Sequence, residues 1–153
     1  MVKVVITVAL FWVAAATVAC AADEPVIASI KTVQGNCSVR RGAQTLPATE
    51  GMHMQLGDVL VTSTDGGLAF IMRDGTRVSL GPQTELTVDP FAYDPSHGKF
   101  ALVLKLGRGI LAYVSGKIAT FSPEAVRVQT PVATIGVRGT KFVAGLGVSL
   151  RTP

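Results

Sequence analysis

Runs of strand length with a period of two, glycine and proline breaking them at short intervals, and no sustained helical period after the N-terminal apolar stretch together predict an all-β domain. Its strands are short, antiparallel or wound like a solenoid. At 153 residues the chain fits one folding unit with enough length to bury a core.

The N-terminus has its own pattern. Lys3 precedes an apolar run from Val4 to Val18, and Ala19-Cys20-Ala21 supplies small residues ahead of Ala22-Asp23-Glu24-Pro25. Basic, apolar and small-residue regions in that order make a secretory signal peptide. Residues 1–21 are therefore expected to be removed, leaving a mature domain of residues 22–153 that is exported to the periplasm or beyond. The apolar run is shorter than the roughly 20 residues that span a bilayer comfortably, so the mature form is not expected to cross the membrane. A retained anchor and lipidation at Cys20 are the alternatives, although Thr17 stands where a lipidation site usually has Leu. With Cys20 removed, Cys37 is left alone and no internal disulfide can form, which makes hydrophobic burial the main source of stability. In Asn36-Cys37-Ser38-Val39-Arg40 the alternation makes Cys37 a small buried hydrophobe.

The strands follow in order. Val26 to Val33 and Cys37 to Arg41 alternate around Gly35, and Val59 to Thr62 follows Gly57-Asp58. Leu68 to Met72 and Arg77 to Leu80 flank Asp74-Gly75, which reads as a tight hairpin with Gly75 in the second central position, where a positive φ is needed. Glu85 to Val88 follows Gly81-Pro82. Asp94-Pro95-Ser96-His97-Gly98 is the strongest loop, with Asp89 and Asp94 both assigned to it. Phe100 to Leu106 and Ile110 to Val114 are read as two strands separated by Gly107 and Gly109; Val126 to Gln129 and Thr140 to Ala144 complete the set. A loose likeness between Gly67 to Met72 and Gly98 to Leu104 suits a stack of strand-and-turn layers. Its ends would be capped by Val26 to Val33 and by Val143 to Leu150.

The charge is mild. Fourteen Lys and Arg against ten Asp and Glu give +4. The cations are scattered, without the clustered stripe and interleaved aromatics of a nucleic-acid surface. An enzyme finds little support: His53 and His97 lie in different turn-rich regions and no Gly-x-Ser-x-Gly nucleophile motif occurs. Asp58, Asp65 and Asp74 sit at or beside turns, where Asp bonds its own backbone. Met52-His53-Met54 has soft ligands suited to copper, yet strand alternation puts both methionines on one face and the histidine on the other, so no metal site is assigned. Gly136-Val137-Arg138-Gly139-Thr140 invites comparison with a phosphate loop, but no helix follows and no Lys-Ser or Lys-Thr stands in place. Instead, Gly136 and Gly139 are expected to allow a bulge or tight bend, with Arg138 bonding carbonyls or a carboxylate of the adjoining layer. Partner contact by Arg138 and Lys141 is the alternative. No cofactor is implied.

Four motifs in order, Arg40-Arg41-Gly42, Leu56-Gly57-Asp58, Asp74-Gly75-Thr76 with Gly81-Pro82, and Thr130-Pro131 with Gly136, Gly139 and Thr140, give the region from Val33 to Val143 its identity. It resembles the FecR-like domain family, named for the ferric-citrate regulator of bacterial cell-surface signalling. The resemblance implies an all-β body and a non-enzymatic periplasmic role in binding or signalling, with a protein or glycan of the envelope as partner. It does not carry over transcriptional output, because a chain opening on a cleaved leader would have no cytoplasmic part to hold a sigma factor. A structural or adhesin-type envelope subunit that self-associates through its β edges is the rival reading.

Overall fold

A computed structural model of the protein describes residues 25–147; the expected leader lies outside them. The strands are β1 (Val26–Gln34), β2 (Cys37–Arg41), β3 (Gln44–Pro47), β4 (His53–Gln55), β5 (Val59–Thr62), β6 (Gly67–Met72), β7 (Arg77–Leu80) and β8 (Glu85–Asp94). After these come β9 (Lys99–Val114), the short helix α1 (Lys117–Phe121), β10 (Val126–Gln129), β11 (Thr134–Gly136) and β12 (Lys141–Leu146). The twelve strands form one sheet, curled into a half-barrel, in the order β3-β2-β5-β8-β9-β7-β6-β1-β4, with β10, β11 and β12 added off that path. The fold is all-β. Its pairing is antiparallel apart from β10, which lies parallel to β9.

Alternation explains the elements. In β6, Leu68, Phe70 and Met72 point inward, and in β7 Val78 and Leu80 do the same opposite them. Leu86 and Val88 of β8, with Leu102, Leu104, Leu106, Leu111 and Tyr113 of β9, continue the same inner surface. Each such side chain contributes about 1.5–3 kcal/mol on burial, which favours a sheet curled to enclose this face. Ile118 of α1 is fully buried and adds to this core from outside the sheet.

β9 organises the rest. Its first half pairs with β8 on one side and β10 on the other; its second half pairs with β7 and β12. Two separate strands were expected here, because Gly107 and Gly109 look like turn formers. Instead the ladder continues through them with a register shift opposite Glu85 and Leu86, and Gly109 takes φ +90°. The glycines form a bulge that bends one long strand from one set of neighbours to the next.

Other differences have similar causes. β8 runs on to Asp94, so Asp89 and Asp94 belong to a strand; Pro90 lacks an N–H and interrupts the ladder between Val88 and Phe91, after which pairing resumes. The loop beyond is a single 3-10 turn over Pro95–His97. β3, β4 and β11 are three or four residues long, too short to show a period. β1, expected to cap an end, is paired on both sides, with β4 and with β6. The other expected cap, Val143 to Leu150, is β12 as far as Leu146, and residues 148–150 lie outside the described residues.

Candidate functional site

The signature residues divide between a closed part of the molecule and an open one. In the closed part, Gly57 takes φ +81° before β5 and presents Asp58, which is only 2% exposed. Arg41 from β2 reaches this carboxylate with both arms of its fork, Nε to Oδ1 at 2.9 Å and Nη2 to Oδ2 at 2.6 Å, while the Gln55 backbone N–H donates to Oδ2 at 2.9 Å. The hydrogen bond to Asp58 raises the Arg41 pKa above its ordinary value. A bidentate charge-assisted pair thus ties β2 to the turn between β4 and β5.

Asp74 has the same character. The hairpin between β6 and β7 closes with Gly75 N–H donating to the Met72 carbonyl at 2.9 Å and Met72 N–H to the Thr76 carbonyl at 2.8 Å. Gly75 therefore occupies the last position of the Met72 to Gly75 turn rather than the second central one, and its φ of +84° is the left-handed residue of a three-residue loop. Asp74, 1% exposed, accepts from Thr76 N–H and the Thr76 hydroxyl, as expected of a turn aspartate. It also accepts from Ile118 N–H at 3.3 Å, and its carbonyl accepts from Lys117 N–H at 2.9 Å. That tertiary bond supplies α1 with the cap that Gly116 has no side chain to give. A Cβ on Gly116 would press into Thr76 N and Asp74 O, so the close approach requires glycine. Gly81 joins this closed part by donating to the Ile110 carbonyl and accepting from the Thr62 hydroxyl, beside exposed Pro82.

The open part begins after β10. Thr130 and Pro131 start the β10–β11 hairpin, with Thr130 N–H and Ala133 O at 2.8 Å and Ala133 N–H donating to the Thr130 hydroxyl at 3.0 Å. Val132 projects from its tip, 80% exposed. Beyond β11, Val137 is buried and its N–H bonds the Val126 carbonyl, while Arg138 is exposed. Arg138 makes no hydrogen bond or ion pair among the described residues, so the packing against an adjoining layer expected of it is not found. Its nearest influence is on Glu124, whose carboxyl is held below the ordinary range first by the Ser122 hydroxyl and in smaller part by this guanidinium. Of the two glycines, Gly139 takes φ +141° and Gly136 does not need a positive φ at all. Gly139 and Thr140 offer their carbonyls to Ser115 of the segment after β9. Lys141 is exposed at the start of β12.

Between β11 and β12 lies a groove of about 450 Å³, bordered by Val132, Ile135, Arg138, Lys141 and Val143. Val143 is 71% exposed and Ile135 is also well exposed. No carboxylate among the described residues borders it. Sequence reasoning named Arg138 and Lys141 as candidates but not the apolar residues beside them, because a strand of alternating residues does not reveal whether its outer face will be covered.

The remaining candidates are separate from this groove. Met54 is buried and Met52 packs on the core, while His53 faces out, as alternation requires. His97 pairs with Asp94 at 2.6 Å on the surface. Asp65 accepts from the neighbouring Ser63 hydroxyl, which lowers its pKa. Cys37 is half-buried rather than fully so, and desolvation pushes its thiol pKa up.

A family model described as FecR protein matches residues 58–151. The chain belongs to the FecR family. The FecR span opens at Asp58 and includes the Asp74 hairpin, Gly81-Pro82 and the whole of the open part. β1 to β4 precede it, yet Ile30, Val39 and Met54 share its core. FecR membership marks a signalling-related, regulatory type of domain, typically periplasmic in envelope signalling proteins. No helix among the described residues is long and apolar enough to cross a membrane. No curated protein and no solved structure matches the chain.

Proposed function

We propose that the chain is a non-enzymatic, exported FecR-domain binding module of the bacterial envelope that contacts a protein or glycan partner through the surface around Arg138 and Lys141. One observation carries this reading. Two exposed cations without an ion pair stand beside exposed Val132, Ile135 and Val143, while the arginine and aspartates of the closed part are bonded internally. An exposed arginine or lysine next to exposed apolar side chains is a common composition of a recognition patch. The family supports the signalling context, and the pattern of Lys3, Val4 to Val18 and Ala19-Cys20-Ala21 supports export.

Two measurements test the proposal. Intact mass of the native protein should correspond to a chain beginning at Ala22; a mass retaining residues 1–21, or carrying lipid on Cys20, would refute the cleaved, soluble form. Capture from envelope extract should recover a defined partner with the wild-type protein and lose it with Arg138→Glu/Lys141→Glu. Equal recovery by the reversed protein would remove this surface from the proposal. The rival reading, a self-associating subunit, is favoured by β3, β4, β11 and β12, each paired on one side only among the described residues. It requires mass to grow with concentration in the absence of any partner.

A further inference from the structure

We infer that the groove between β11 and β12 receives an extended acidic peptide segment, which adds as a further strand along the edge of β12. The inference rests on the binding-module reading and supplies the chemistry of its partner.

β12 is paired with β9 from Lys141 to Leu146 on one side, and among the described residues no strand pairs with its other side. Such an edge presents unpaired N–H and C=O groups, the template that strand addition uses. β11 offers a second open edge across the groove. Val132, Ile135 and Val143 give apolar contact to alternate side chains of an incoming strand. Arg138 and Lys141 supply positive charge, and no carboxylate among the described residues borders the groove, so acidic side chains are complementary to it. A second copy of the chain would bring the same two cations to the contact, which disfavours self-pairing there.

Gly136 adds an independent sign. Its φ is not in the left-handed region, and a Cβ built on it meets nothing within 4 Å. Neither conformation nor packing within the chain calls for glycine at this strand position. With neither a bulge nor a positive φ at Gly136, close approach by another backbone is the remaining use of a strand glycine, and the open space there permits it.

The test uses the full mature chain and an immobilised library of hexapeptides in which apolar residues alternate with Asp, Lys or Ser, alongside vesicles of phosphatidylglycerol. Acidic alternating peptides should be selected, weaken with salt, and protect amides of Phe142 to Leu146 from hydrogen exchange. N-methylation at alternate backbone positions of a selected peptide should abolish binding. Gly136→Val should abolish it as well without lowering the melting temperature, and Arg138→Glu/Lys141→Glu should shift selection from acidic to basic peptides. No enrichment, protection elsewhere, equal binding of N-methylated peptide, or the same protection by vesicles alone would overturn the inference. Concentration-dependent protection of β12 without peptide would overturn it in favour of self-pairing. If envelope capture succeeds but cross-links map to another face, the peptide inference fails and the binding-module reading stands. If capture recovers nothing, that reading fails on its own terms.

Discussion

The Asp74 hairpin and the segment from Gly136 to Thr140 both lie within the FecR span, and in each a charged residue stands directly before Gly-Thr, Asp74 before Gly75-Thr76 and Arg138 before Gly139-Thr140. Their charges meet opposite fates. Asp74 is enclosed, and its carboxylate accepts from Thr76 and from the start of α1. Arg138 is exposed and accepts no such constraint, standing beside apolar side chains that the fold leaves uncovered. Residues of the sequence motifs in this chain therefore serve two ends. Those whose polar groups are all satisfied internally hold the sheet together, and those left open are available for contact.

This contrast is broken most directly at the carboxylates. Asp58→Ala strands the Arg41 guanidinium and Gln55 N–H, and Asp74→Ala strands Thr76 and Ile118 N–H groups; each should lower stability by about 2 to 4 kcal/mol. Urea unfolding measures it. A cost below that of an ordinary surface substitution would show that the closed part is not held by these clasps.

Next in size is the hairpin. Gly75→Val should cost about 1 to 3 kcal/mol because a β-branched residue is strained at φ +84°, and Gly75→Asn should cost much less. Equal melting temperatures for the two would remove Gly75 from the closed part's requirements.

Tyr113 sharpens the comparison where the two parts meet, since it is buried in β9 and its ring stacks on Phe142 of β12 at 4.8 Å. Its hydroxyl lies near those of Thr76 and Ser115 but in hydrogen-bond geometry with neither. Burial raises its pKa above the ordinary 10.0. The unfolded chain releases this proton first, so the stability linked to Tyr113 is whole below the unfolded pKa and is lost as pH rises through the folded one. Tyr113→Phe should be within about 1 kcal/mol of wild type at neutral pH. Its fall in melting temperature above pH 10 should be shallower, as followed by circular dichroism across that range. An equally steep fall would assign the alkaline loss to other groups.

The smallest effects belong to the open part. Arg138→Lys and Gly136→Val should each change stability by no more than about 0.5 kcal/mol, because the Arg138 side chain makes no hydrogen bond or ion pair among the described residues and a Cβ on Gly136 meets nothing within 4 Å. A drop in calorimetric melting temperature comparable to that of Gly75→Val would erase the distinction between the two parts.

How much of this was legible in the sequence follows from the range of each interaction. A period of two is a local property, so β2, β5, β7 and β10 were bounded correctly from residues alone, and the all-β class with them. Turn chemistry is local too, which made the positive φ of Gly75 readable even though its place in the turn was not. Bulges looked like breaks at Gly107 and Gly109, because only the neighbouring strands decide whether a ladder resumes. The same limit hid the clasps. Asp58 and Asp74 look like ordinary turn aspartates until Arg41 and Ile118 are brought to them from 17 and 44 residues away. Exposure of Val132, Ile135 and Val143 was equally unreadable, since alternation gives each strand two faces without saying which will be covered. The sequence by itself determined the all-β class, the bounds of β2, β5, β7 and β10 and the positive φ of Gly75, because these depend on steric preferences of adjacent residues. Tertiary structure alone decided which charges are enclosed and which remain on the surface, because burial is set by residues distant in the chain.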